Sequence, residues 1–186
     1  MTWRTFISLF GALVIGAGTA SAVDLSKLNK ENILYLDLPT GRVVILMRPD
    51  KAPNTVARIK QLVRQGFYDG LVFHRVIAGF MAQTGDPLGN GTGGSGQPLK
   101  AEFNNLHHMR GAVSMARAGD PDSADSQFFI ILKPTLYLDG QYTIWGRVID
   151  GMEHVDAIKK GDPDRNGQVD NPDAIVRMRV AADVDK

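Results

Sequence analysis

No cysteine occurs in the 186 residues of this chain. Its absence excludes disulfides, thiol nucleophiles and cysteine-ligated metals together. An excess of charge is missing too: 21 Lys and Arg stand against 20 Asp and Glu. Nucleic-acid binding normally needs a strong basic bias, so no such partner is expected. There is no G-x-S-x-G elbow of the kind that carries a serine nucleophile. Repeats and linkers are also lacking, and the length suits one domain with a sizeable core.

Long apolar runs are confined to the N-terminus. "MTWRTFISLFGALVIGAGTASA" sets Arg4 ahead of an apolar stretch from Phe6 to Ala17 and closes on Ala20-Ser21-Ala22. Small-x-small is the signal-peptidase pattern, and the stretch is short for a membrane span. The expectation is a signal peptide over residues 1–22 and an exported domain over 23–186, in the periplasm or fully secreted. An uncleaved anchor is the alternative. Only Arg4 among the basic residues leaves with the leader, so 20 basic residues then face 20 acidic ones.

Three motifs fail on context. "GNGTGG" at Gly89–Gly94 matches a dinucleotide loop literally, but "SGQPLK" follows where a helix must open. A glycine-rich surface loop is the better reading. His107 and His108 are adjacent and lack companions at ligand spacing, so surface or capping roles are expected. "DPDRNGQVDNPD" sets Asp162, Asp164, Asn166, Gly167, Asp170 and Asp173 at calcium-loop positions, though aspartate replaces the closing glutamate. A polar turn needs no ion, so this loop is only a weak calcium candidate and no metal is assigned.

What is present reads mainly as strands. Ile33–Leu38 and Arg42–Arg48 flank Pro39-Thr40-Gly41, a hairpin pattern. Further strand-like runs are Leu71–Val76, Ala112–Ala116, Gln127–Leu132, Thr143–Ile149 and Ala174–Val180. "KAPNTVARIKQLVRQGFYDG" is helical in period, with Pro53 in the first turn, Val56, Ile59, Leu62 and Val63 on one face, and Gly66 to end it. "DGMEHVDAIKKG" gives a second helix, with an Asp150–Glu153 capping box and Gly161-Pro163 as its stop. Many strands and two short helices argue for one β-barrel or sandwich with its ends covered.

Within that frame, "FHRVIAGFMAQTGD", residues 73–86, poses a problem: Arg75 is a permanent charge in an apolar segment. A buried unpaired guanidinium is costly, so Arg75 is at an edge, paired, or kept for a ligand. With "GAVSMARAGDPDSADSQFFI" and "YLDGQYTIWGRV", this stretch resembles the cyclophilin family of peptidyl-prolyl cis-trans isomerases, in order over most of residues 31–182. The resemblance implies a mainly β, single-domain, closed eight-stranded antiparallel barrel capped by two α-helices. It also implies an isomerase that needs no cofactor and acts on proline-containing, unfolded or flexible polypeptides; a monomer is expected. Arg75 is then the catalytic residue, with His74 and Tyr137 as supporting neighbours. Phe80, Met81, Phe129, Leu138 and Tyr142 line the proline pocket. Gln83 and Gln127 bond the peptide backbone, and Ala116, Arg117 and Ala118 pair with the extended substrate. Ala78 stands where proline is common. Tyr137 replaces a frequent tryptophan, which removes an indole N–H from cyclosporin binding, and Tyr142 replaces a frequent histidine. The rival reading is a holdase that grips proline segments without turnover.

Overall fold

The computed structural model describes residues 24–184, so the expected signal peptide lies outside the described residues. Eight strands form one antiparallel sheet: β1 Ile33–Leu38, β2 Gly41–Met47, β3 Arg75–Ile77, β4 Met81–Thr84, β5 Ala112–Met115, β6 Phe128–Ile131, β7 Ile144–Asp150 and β8 Arg177–Val180. Their order is β3-β4-β6-β5-β7-β2-β1-β8. The sheet curls around a core holding Trp145, Phe128, Phe73, Tyr68 and Leu36.

The expected closed barrel needs one correction. No ladder joins β3 to β8; the sheet is a half-barrel whose gap is sutured by residues 168–176. Single bridges pair Val72 with Ala174 and Arg75 with Gln168, and the Phe73 amide donates to the Asp173 carbonyl at 2.9 Å. Val176 then donates to Asp37 of β1 at 2.8 Å. Irregular backbone therefore satisfies the edge groups that a ladder would otherwise pair.

The expected hairpin β1–β2 forms, with Leu38 paired to Gly41. Strand β4 was hidden in the sequence because its run is contiguous with β3; a turn around Gly79 separates them, and Leu71–Phe73 stays largely outside the ladder.

Helix α1, Pro53–Arg64, buries Val56, Ile59, Leu62 and Val63 in the core, as its period predicts. Ala52 has no capping side chain, so Glu102 substitutes from a distant loop and accepts from the Asn54 and Thr55 amides at 2.9 and 2.8 Å. At the other end Gly66, at φ +70°, lets Phe67 donate to Leu62 and Gly66 donate to Val63, the bonding of a Schellman motif. Helix α2, Met152–Ala157, lacks the expected capping box. Asp150 still belongs to β7, and Gly151 at φ +77° takes the N-cap position. A Cβ there would meet the Arg42 carbonyl oxygen at 2.1 Å, so only glycine fits. A four-residue helix, α3 Ala181–Val184, closes the described chain. Among the described residues no helix is long and apolar enough to cross a membrane.

Candidate functional site

Strand alternation builds the site on the outside of the half-barrel. Val76, Ala82, Phe128, Ile130, Val113 and Met115 face the core. Their neighbours face the other way, because successive side chains in a strand point to opposite faces. The pairing then lines up one outward row across four strands: Arg75 opposite Gln83, Gln83 opposite Phe129, and Phe129 opposite Ser114. Met81 and Ile131 pair one step along. Charge, amide and aromatic ring thus stand side by side, at cross-strand distances that allow direct contact.

Arg75 is half-buried and forms no ion pair among the described residues. Its Nε donates to the Asn166 carbonyl at 3.0 Å, its Nη2 to Asn166 Oδ1 at 2.9 Å, and its Nη1 to Gln83 Oε1 at 3.2 Å. Neutral oxygens fix the guanidinium without cancelling its charge. Burial lowers its pKa from the ordinary arginine value, yet arginine holds its proton throughout the physiological range. Nη1 also lies 3.9 Å from Met81 Sδ, a weak acceptor that a substrate atom easily replaces.

Gln83 passes the arrangement inward. Its amide nitrogen donates to Gln127 Oε1 at 2.9 Å, and Gln127 donates to the Gly91 and Gly93 carbonyls at 3.1 and 2.8 Å. That glycine-rich loop is ordered by Asp86, whose buried carboxylate accepts from the Leu88 and Asn90 amides. It is a shaped loop without a nucleotide motif's helix, as the sequence context indicates.

Beside Arg75 lies a cavity of about 120 Å³ bordered by Phe80, Met81, Phe129, Leu138 and Tyr142, with Ala116 and Arg117 on its rim. Met81, Phe129 and Leu138 are buried, and Phe80 and Tyr142 are partly exposed. Tyr142 meets Phe129 edge to face, with centroids 5.7 Å apart. A hollow of about 210 Å³ continues between the 91–93 loop and Ala116–Ala118. The β5 ladders end at Met115, so among the described residues no strand pairs with Arg117 or Ala118 there. All the pocket and backbone residues expected from the sequence therefore border one groove. Tyr137 sits at the outer edge, 68% exposed, with its ring tilted 6.3 Å from Phe80.

His74 borders a hollow of about 560 Å³ that Arg75 also lines. It is buried and neither ring nitrogen has a hydrogen-bond partner. His108 departs from the expected surface or capping role. It is fully buried behind the pocket, with Nδ1 2.8 Å from Asp139 Oδ1 and Nε2 3.1 Å from Ser114 Oγ. Its ring stacks on Phe129 at 6.2 Å. His107, exposed, meets the other Asp139 oxygen at 2.7 Å. Burial raises the Asp139 pKa, but the hydrogen bonds from His107 and His108 outweigh it and bring the carboxyl down to about 2.

The loop with calcium-like spacing is held by its own side chains. Asp162 caps a short 3-10 turn by accepting from the Asp164 amide, Arg165 bonds both Asp162 and Asp170, and Asp173 accepts from the Lys159 amide. Among the described residues no group of three or more acidic or histidine side chains is disposed to hold a metal ion. The loop's contribution is Asn166, in the left-handed region at φ 54°, which carries two of the three oxygen acceptors of Arg75. Sequence reasoning missed this role; the Asn-Gly pair signalled a turn, but nothing in it pointed to a strand 91 residues away.

Comparisons with known proteins give the family and the fold. The family described as cyclophilin type peptidyl-prolyl cis-trans isomerase/CLD matches residues 34–180. A "probable peptidyl-prolyl cis-trans isomerase" of Brucella suis is 51% identical over 187 aligned positions, covering 94% of this chain and 93% of the relative. "Peptidyl-prolyl cis-trans isomerase B" of Bacillus subtilis is 47% identical, covering 69% of this chain and 91% of its own. A crystal structure of a Hirschia baltica cyclophilin superposes with a TM-score of 0.75 at 26% identity, covering 84% of this chain and 76% of that one. A Cryptosporidium parvum cyclophilin-type isomerase, crystallised in the presence of the dipeptide Ala-Pro, superposes with a TM-score of 0.73 at 27% identity, covering 80% and 98%. By family match and by identity over most of its length, the chain belongs to the cyclophilin-type peptidyl-prolyl cis-trans isomerases.

Proposed function

We propose that this isomerase works by aiming Arg75 at the prolyl nitrogen while the apolar cavity holds the proline ring. An X-Pro bond rotates over a barrier of about 18–20 kcal/mol set by amide resonance. Twisting breaks the resonance and leaves the nitrogen pyramidal with a usable lone pair. A donor placed there binds the twisted state better than either planar state, which lowers the barrier without any covalent step. Gln83 and Gln127 position that donor and the peptide backbone. Ala116–Ala118 offers an extended segment for the substrate to lie along.

The observation that carries this reading is the way Arg75 is held: charged, partly desolvated and anchored only by neutral oxygens. No carboxylate pairs with Arg75 among the described residues, so its charge is left for a ligand. The test is a protease-coupled peptide assay. Arg75→Ala and Arg75→Lys should each lose about a hundredfold in kcat/KM, on the scale of removing one preorganised donor, while peptide binding changes by a few-fold at most. Near-normal turnover in both variants would sink the mechanism. A holdase would instead bind peptide with wild-type turnover at background.

We also propose that its clients are exported proteins, on the strength of the Arg4–Ala22 leader pattern. Mass spectrometry of the protein from a fractionated cell should give an N-terminus at Val23 outside the cytoplasm. An intact cytoplasmic chain would refute export.

A further inference from the structure

Arg117 borders the proline pocket, the 210 Å³ hollow beyond it and a third hollow of about 560 Å³ on the far side of Arg75. Its guanidinium is locked. Nε donates to the Gln141 carbonyl at 3.0 Å, and Nη1 donates to the Ala118 and Gly119 carbonyls at 2.9 and 3.1 Å. The plane lies over the Tyr142 ring, 4.8 Å from its centroid. Three of its five N–H groups are thus spent on main-chain oxygens, which orient the group but leave its charge whole. No carboxylate pairs with Arg117 among the described residues. The two Nη2 hydrogens have no protein acceptor among the described residues.

The charges around it are accounted for. Arg165, on the 560 Å³ hollow, is neutralised by Asp162 and Asp170. Asp125, on the 210 Å³ hollow, keeps its charge but spends its oxygens on Ser95 Oγ and the Gly96 and Gln97 amides and forms no ion pair with Arg117. The 560 Å³ hollow has no Asp or Glu in its lining. Arg75 is engaged with the prolyl amide in the reading above. Arg117 is therefore a preorganised cation without an ion pair that an approaching peptide meets beside the proline, and holding it in place beforehand spares the ordering entropy of binding.

We infer that the Nη2 edge of Arg117 reads a carboxylate on a residue next to the proline, so that this isomerase favours acidic X-Pro segments. The inference rests on the groove being the substrate site. It concerns specificity, and Arg117 acts as a binding residue with no part in the bond rotation.

The test uses peptides with Glu, Gln or Lys immediately before or after the proline, assayed at low and at high salt. At low salt wild type should turn over the better-placed Glu peptide about three- to fivefold faster in kcat/KM than its Gln twin, with Lys slowest, as suits a partly exposed ion pair. Added salt should shrink that ratio. Arg117→Gln should bring the Glu-to-Gln ratio to one, and Arg117→Glu should favour Lys. Each variant's Gln-peptide rate is its internal reference, so a general loss of activity does not imitate the effect. Calorimetric binding of the same peptides gives a second reading of the ratio, separate from turnover. Equal rates and equal affinities for Glu and Gln peptides, at both positions, would overturn the inference while leaving isomerase activity intact. So would a Glu preference that survives Arg117→Gln.

Discussion

The two faces of strands β3 to β6 share a backbone and do different work. The inward face is packed tight, with Val76, Ala82, Phe128 and Ile130 all fully buried and the buried Thr84 donating its hydroxyl to the Val72 carbonyl. The outward face mixes Arg75, Gln83, Phe129 and Ser114, and closes over only a small second cluster. Packing leaves few polar groups without a partner; the groove needs polar groups held still and partly unpaired. One sheet meets both demands because its period of two keeps them apart.

The comparison breaks most visibly at adjacent phenylalanines. Phe128→Ala should cost about 3–5 kcal/mol of stability, as for a large core ring, and leave the KM of the folded fraction unchanged. Phe129→Ala should cost less stability, because its ring borders an open cavity, but should raise KM and lower kcat together. Chemical denaturation alongside peptide kinetics separates the two. Equal effects of both substitutions on KM would erase the distinction between the faces.

Asn166 tests how far the outward face depends on being held still. A hydrogen bond to a charged group contributes about 1.5–3 kcal/mol. Gln83 and the Asn166 carbonyl remain after Asn166→Ala, so the loss should be at the low end, about tenfold in kcat. The melting temperature should hardly move. An unchanged kcat would mean Arg75 needs no side-chain anchor from this loop.

The smallest effect is acid sensitivity. Burial holds the pKa of both His74 and His108 below the ordinary 6.5. His74 faces Asp86, which works the other way, and Arg75, which adds to the lowering; His108 faces Asp139, which works the other way. A histidine with a depressed folded pKa takes up its proton more readily when unfolded. Stability is therefore full above pH 6.5 and falls as pH drops from there towards the folded values. His74→Gln and His108→Gln should each flatten part of that slope in melting temperature measured between pH 7 and 5. A flat wild-type profile across this range would contradict it. Asp139 acts lower: its stabilising contribution, present above pH 3.8, should fade as pH drops towards about 2.

Much of this was legible beforehand because it depends on local pattern. Helix α1 followed from its 3.6 period with Pro53 and Gly66 at its ends, and most strands followed from runs of β-formers. Strand β4 was lost because β3 and β4 adjoin without a polar break. The capping box failed because β7 continued into Asp150 and left Gly151 as the residue that could approach Arg42. His108 was misread because adjacency in sequence says nothing about which neighbour a fold will bury.

By itself the sequence determined the element types, the family resemblance and the residues that border the groove, since these rest on short-range periodicity and on side-chain identity. Tertiary structure alone decided that the half-barrel is sutured by residues 168–176 rather than closed by a ladder. It alone brought Asn166 to Arg75, set His108 beneath Phe129, and left Arg117 without a carboxylate partner among the described residues. The physical reason is the same in each case: hydrogen bonds and charges are satisfied by whatever the fold brings within about 3 Å, and that distance carries no mark in the order of the chain.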